Sequence, residues 1–97
     1  MFARVGTWEG SSEELDRWVE GAKDVKARIH EAPGLRGAYW FADRAARRGL
    51  TITIWDSEDA MQISEERRAR SQGLTGQATG AQVTTARYEV VESLERP

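Results

Sequence analysis

The 97-residue sequence contains no cysteine, no asparagine, one histidine and two prolines, and its charges nearly cancel, with 14 Lys and Arg against 16 Asp and Glu. Each shortage removes a class of chemistry. Without cysteine there is no disulfide, no thiolate zinc or iron–sulfur site and no cysteine nucleophile. With His30 alone, one chain cannot assemble a multi-histidine metal site, and a Ser-His-Asp arrangement has only that imidazole to use. No metal is therefore expected. A net charge of -2 leaves no domain-wide footprint for a phosphate backbone, so nucleic acid is not an expected partner. No apolar run reaches the ~18 residues of a membrane span, and Met1 to Trp8 lacks the basic and apolar regions of a signal peptide. A cytoplasmic protein without membrane association is the expectation.

What remains alternates between period-2 and period-3.6 patterning without repeat or linker, as expected of a single domain over residues 1–97. Phe2–Glu9 reads as a strand. Ser11 and Glu14 supply a capping box, and Leu15, Trp18, Val19, Ala22, Val25 and Ile29 then form one apolar helical stripe, stopped by Pro33-Gly34. Leu35–Ala42 and Leu50–Trp55 read as a hairpin across a charged loop from Asp43 to Gly49. The run Leu50-Thr51-Ile52-Thr53-Ile54-Trp55 is the clearest strand, because β-branched residues alternate along it. Asp56 or Ser57 caps a second helix with a thin stripe of Ala60, Met61, Ile63 and Leu74. Three glycines between Ser71 and Gly80 predict that this helix weakens there. Gln82–Val91 is a last strand.

The order β-α-β-β-α-β implies an α+β, ferredoxin-like domain, a four-stranded antiparallel sheet with both helices on one face. Its other face ought to be polar in a monomer. Yet Leu50, Ile52 and Ile54, with Ala3 and Val5, are apolar, as is much of the face opposite them. A sheet apolar on both sides needs a second cover, and another copy of the same sheet provides one. A homodimer through the sheet face, forming a dimeric α+β barrel, is expected.

The opening Met1-Phe2-Ala3-Arg4-Val5, the segment Pro33-Gly34-Leu35-Arg36-Gly37, the junction from Gly49 to Ala60 and the closing Arg87-Tyr88-Glu89-Val90 resemble the antibiotic biosynthesis monooxygenase-like family of dimeric α+β barrels. The resemblance spans nearly the whole chain, and its most specific piece is the junction at Trp55. It implies a homodimer with a cavity between helices and sheet in each protomer, and it leaves several activities open. The heme-degrading branch resembles this chain at Trp55. Its strand-one asparagine falls near Gly6, however, and its iron-ligating histidine near Glu65, and both residue types are missing there. The cofactor-free oxygenase branch uses asparagine, tryptophan, tyrosine and arginine around a phenolic substrate. Trp55, Tyr39 or Tyr88, and Arg4 or Arg87 supply three of these four types.

These readings select Trp55, Arg4, Trp8, Tyr39 and Phe41 as pocket residues. Strand alternation puts Trp55 with Thr51 and Thr53, opposite the aliphatic set, and puts Arg4 and Trp8 on a common face. Arginine among aromatic residues suits a carboxylate, phenolate or enolate, although an ordinary cation–π or ion-pair contact with the first helix is the favoured reading of Arg4. Trp55 can equally be a core residue that holds the second helix down. Both faces of strand two carry aromatics, so either can reach a ligand. His30, at a helix end, is expected to be exposed. Arg44, Arg47, Arg48 and Arg67, Arg68, Arg70 lie among Asp43, Glu65 and Glu66, and so read as solvated faces. Arg48-Gly49 resembles the start of an RNA-recognition motif, but Leu50 and Ile52 stand where stacking aromatics are required. The expected function is cofactor-independent monooxygenation of a small aromatic or polyketide-type substrate, and the alternative is a non-catalytic ligand-binding or interaction module on the same fold.

Overall fold

The computed structural model describes residues 1–75 and 82–96. Its elements are β1 (Phe2–Glu9), α1 (Ser12–Ile29), β2 (Leu35–Asp43), β3 (Arg48–Trp55), α2 (Glu58–Thr75) and β4 (Gln82–Glu89). The strands form one antiparallel sheet in the order β2-β3-β1-β4, the ferredoxin-like arrangement. Helix α1 packs on β2 and β3, while α2 packs on β1 and β3. Both lie on the same side, since Trp18 of α1 and Glu65 of α2 meet residues that share a face of β1. Among the described residues, no helix is long and apolar enough to cross a membrane.

Local chemistry explains where these elements begin. Glu14 N–H donates to the Ser11 hydroxyl and Ser11 N–H donates to the Glu14 carboxylate, so two donors of the first helical turn are satisfied reciprocally. The Ser11 backbone N–H, more than any other group, holds the Glu14 carboxyl below its ordinary range. A depressed carboxyl pKa contributes stability above its unfolded value and loses it as pH falls through the folded value. Glu14→Gln is therefore expected to melt below the wild type at pH 7 and to converge with it in acid. A melting difference that does not change with pH would refute this role. At the second helix Ser57, rather than Asp56, is the cap, its hydroxyl accepting from Ala60 N–H.

Four boundaries differ from the sequence reading. The β2–β3 hairpin continues to Asp43 and restarts at Arg48, because the pairing Asp43↔Arg48 extends the ladder and an ion pair joins their side chains. Strand β4 ends at Glu89, two residues early, where β1 itself runs out at Phe2. Helix α2 continues through Gly73 to Thr75, so the expected weakening does not begin at Ser71. The rest of that segment, 76–81, lies outside the described residues.

Two glycines are required by close packing. Gly34 follows Pro33 with φ +81°, and a Cβ there would stand 2.6 Å from Cβ of Ala60, at the start of α2. Gly49 lies under the Trp18 ring, whose atoms come within 2.8 Å of where a Cβ would be. Gly49→Val is expected to push Trp18 off the sheet at a cost of about 1–3 kcal/mol. A lowered melting temperature with red-shifted tryptophan emission checks this, and an unchanged melt would remove the packing claim.

Candidate functional site

The strand register sorts the side chains into two layers. On β1, Phe2, Arg4, Gly6 and Trp8 pair with Trp55, Thr53, Thr51 and Gly49 of β3, and all face the helices. At one end of this layer Trp55 is 2% exposed and Met61 of α2 is 1% exposed. The Trp55 indole N–H donates to the Thr53 hydroxyl at 2.9 Å, so the one polar atom of the ring is satisfied inside the protein. Thr53 is also the cross-strand partner of Arg4. Trp55, Thr53 and Arg4 thus stand as neighbours on the helix-facing side of two adjacent strands.

Glu65, from α2, joins these neighbours. Arg4 approaches Glu65 to 3.9 Å, with only 11% and 18% of the two side chains exposed. Arg87 of β4 donates to both Glu65 oxygens, Nε to Oε1 at 2.9 Å and Nη2 to Oε2. The hydrogen bond and charge of Glu65 raise the Arg87 pKa further, so that guanidinium stays protonated. The ion pair of Arg4 is therefore made with the second helix rather than the first, because α2 is the helix that crosses β1. Glu65 was visible in the sequence as one charge in a mixed run and as the place of the missing iron-ligating histidine, neither of which pointed to a partnership with Arg4 and Arg87. Thr53 carried a signal, since two residues before Trp55 it shares a face with it, and Met61 was already in the expected stripe.

The other predicted residues go elsewhere. Trp8 faces the helices, 5% exposed, and stacks on Trp18 with centroids 6.2 Å apart and planes at 24°. It stands six residues from Phe2, the partner of Trp55, which is roughly 20 Å along the strand at ~3.3 Å per residue. Trp8 therefore belongs to a separate aromatic cluster under α1. Tyr39 and Phe41 pair with Ile52 and Leu50 and lie on the opposite, uncovered face, stacked at 6.2 Å and 57% and 47% exposed. Trp40, between them, faces the helices. Of the five predicted pocket residues, Trp55 and Arg4 come together on the helix side, Tyr39 and Phe41 stack on the uncovered face, and Trp8 joins Phe41 only in lining the cleft at the far end. His30 is exposed at the C-terminus of α1, as expected.

The uncovered face is apolar across its width. Val5, Ile52, Ile54 and Ala3 line its centre, with Tyr39 and Phe41 on one side and Tyr88, 58% exposed and paired with Ala3, on the other. A half-open cleft of about 380 Å³ lies at one end, lined by Thr7, Phe41 and Leu50 together with the charged Glu9, Asp43 and Arg48. Among the described residues, no group of three or more His, Cys, Asp or Glu side chains could hold a metal ion.

No family model and no curated protein matches the chain. Solved structures do. A candidate antibiotic biosynthesis monooxygenase from Deinococcus radiodurans matches with a TM-score of 0.82 at 16% identity, covering 100% of this chain and 99% of that one. The heme-degrader of Mycobacterium tuberculosis, with two hemes bound in its active site, matches at 0.78 with 16% identity over 98% and 100% of the two chains. A monooxygenase of Streptomyces coelicolor in complex with nanaomycin D matches at 0.76 with 17% identity over 99% and 92%. At these identities the likeness establishes a shared fold, that of the antibiotic biosynthesis monooxygenase-like proteins, and the chemistry has to be argued from the residues.

Proposed function

We propose that the protein is a homodimeric oxygenase that acts without a cofactor on a small, electron-rich aromatic of the polyketide type, held in the layer between sheet and helices. The observation that carries this reading is the neighbourhood of Trp55, Thr53 and Arg4, where an indole hydrogen-bonded to a buried hydroxyl stands next to a largely buried guanidinium on the adjoining strand. A guanidinium in that setting favours the anionic form of a phenol or enol, the form that can give an electron to oxygen. The overall change for an anthrone-type CH2 is oxidation to C=O by one O2 with release of one water, the substrate supplying all the electrons. The fold neighbour that holds nanaomycin D supports the ligand class.

Oxygen uptake with a panel of anthrones and quinols tests the proposal. Turnover by the wild type is expected, and equal rates in wild type and Trp55→Phe would remove Trp55 from the mechanism. A second reading, a ligand-binding module without chemistry, draws on the sealing of Trp55 and the engagement of Arg4 by Glu65. Tight binding of an aromatic without any product would establish it in place of the first. Heme does not fit these residues. The only histidine is exposed at the end of α1, and Glu65 is held by Arg87 and Arg4.

A further inference from the structure

Arg4 and Arg87 are direct partners across the β1–β4 ladder, on the helix-facing side. Like charges in such a position repel, and the repulsion is sharpened where water is scarce, as at Arg4 with 11% of its side chain exposed. Glu65 is what allows the pair to stand, but it serves the two unequally. Arg87, more than half exposed, receives both carboxylate oxygens. Arg4, the more buried cation, stands at 3.9 Å, outside hydrogen-bond distance. Glu58, on the same helix, adds a further negative field at Arg87. The compensation is thus concentrated on the cation that needs it less.

Two guanidiniums side by side around one carboxylate is how proteins bind an anion from outside. Here the carboxylate comes from the chain itself. We propose that Arg4 and Arg87 form an anion site which Glu65 occupies in the free protein, and that the ligands of this layer carry a carboxylate that displaces it. The proposal rests on the reading of this layer as the ligand site and adds the substrate class. Glu65 acts as a tethered competitor, since its attachment to α2 keeps its local concentration high. A ligand carboxylate that takes its place can sit closer to Arg4 than the helix allows Glu65 to come. The aromatic body then points along the sheet toward Thr53 and Trp55, and a neutral ligand of the same shape has nothing to exchange for the Glu65–Arg87 pair.

Isothermal titration of 2-naphthoate against its neutral analogue 2-naphthylmethanol tests this on the full chain. The wild type is expected to prefer the carboxylate by about tenfold, and Glu65→Gln to tighten naphthoate by a further factor of about ten while leaving the alcohol unchanged. Arg87→Gln is expected to erase the preference. This change is at a half-exposed side chain, so it remains informative if Glu65→Gln does not fold. Equal affinity of the wild type for both compounds overturns the proposal. So does weaker naphthoate binding by folded Glu65→Gln, which would make Glu65 a support for the arginines rather than their occupant. Oxygen uptake with neutral anthrones does not depend on this preference, and naphthoate can bind an inactive protein, so the two readings fail separately.

Discussion

Ile52→Lys is expected to convert a dimer into a monomer in light scattering, at concentrations where the wild type shows twice the chain mass. Ile52 is at the centre of the uncovered face, between Val5 on β1 and Tyr39 on β2. Four strands of about eight residues present roughly 500 Å² on that side, at ~4.8 Å between strands and ~3.3 Å per residue. Its centre and both flanks are apolar, and an exposed apolar surface of a few hundred Å² is of the kind that interfaces cover. Two-fold closure places the same residue in the interface twice, so one substitution buries two ammonium groups with no counter-charge nearby. The dissociation constant is expected to rise by about a thousandfold, or about 4 kcal/mol. A wild type that scatters as one chain at every concentration would end the dimer proposal, and an Ile52→Lys variant that stays dimeric would move the interface off the sheet. The helix-side site is expected to survive the change, because Ile52 and Trp55 point to opposite sides of β3.

Trp55→Ala is expected to cost about 3–5 kcal/mol, the range for emptying a large aromatic site in a core. That is a large part of the roughly 5–15 kcal/mol that holds a domain together. The site cannot collapse easily, since Trp55 is 2% exposed on the helix-facing side of the sheet and its neighbour Thr53 is itself buried. Chemical denaturation should show a shift in midpoint with little change in slope. A loss below 1 kcal/mol would mean that the indole is peripheral to the core. Trp55→Phe is the milder change, because it keeps a six-membered aromatic ring while losing the five-membered ring and the N–H that Thr53 accepts. It is expected to remain folded, and for that reason it is the variant for the oxygen assay.

The two substitutions probe opposite faces of one strand, and the sequence states that opposition directly. In Leu50–Trp55 the aliphatic residues and the Thr-Thr-Trp set alternate, so their separation follows from the pleat alone. The helix start at Ser11 is equally local, set by side chains three residues apart, and the stop before Gly34 by backbone turns in which Ala32 N–H donates to the Ile29 carbonyl and Leu35 N–H to that of Ala32. Element order and the apolar character of the face left uncovered were legible for the same reason.

Membership of the site was not legible, because it depends on how separate strands are aligned. Trp8 and Trp55 share a face, but antiparallel pairing sends them to opposite ends of it. Arg4 meets α2 rather than α1 because the crossover lays α2 over β1, which no local pattern announces. Tyr39 and Phe41 show the limit most clearly. Leu35 pairs with Trp55, and unbroken alternation from Leu35 would put both aromatics on the helix face. An irregularity in the ladder between Leu35 and Gly37 shifts the register, so Gly37 pairs with Ile54 and the rest of β2 is turned over. A shift of one residue exchanges every side chain between faces. Periodicity therefore determined which residues on each strand travel together, while pairing between strands decided which of those sets meet at Trp55 and which are left on the open face of the sheet.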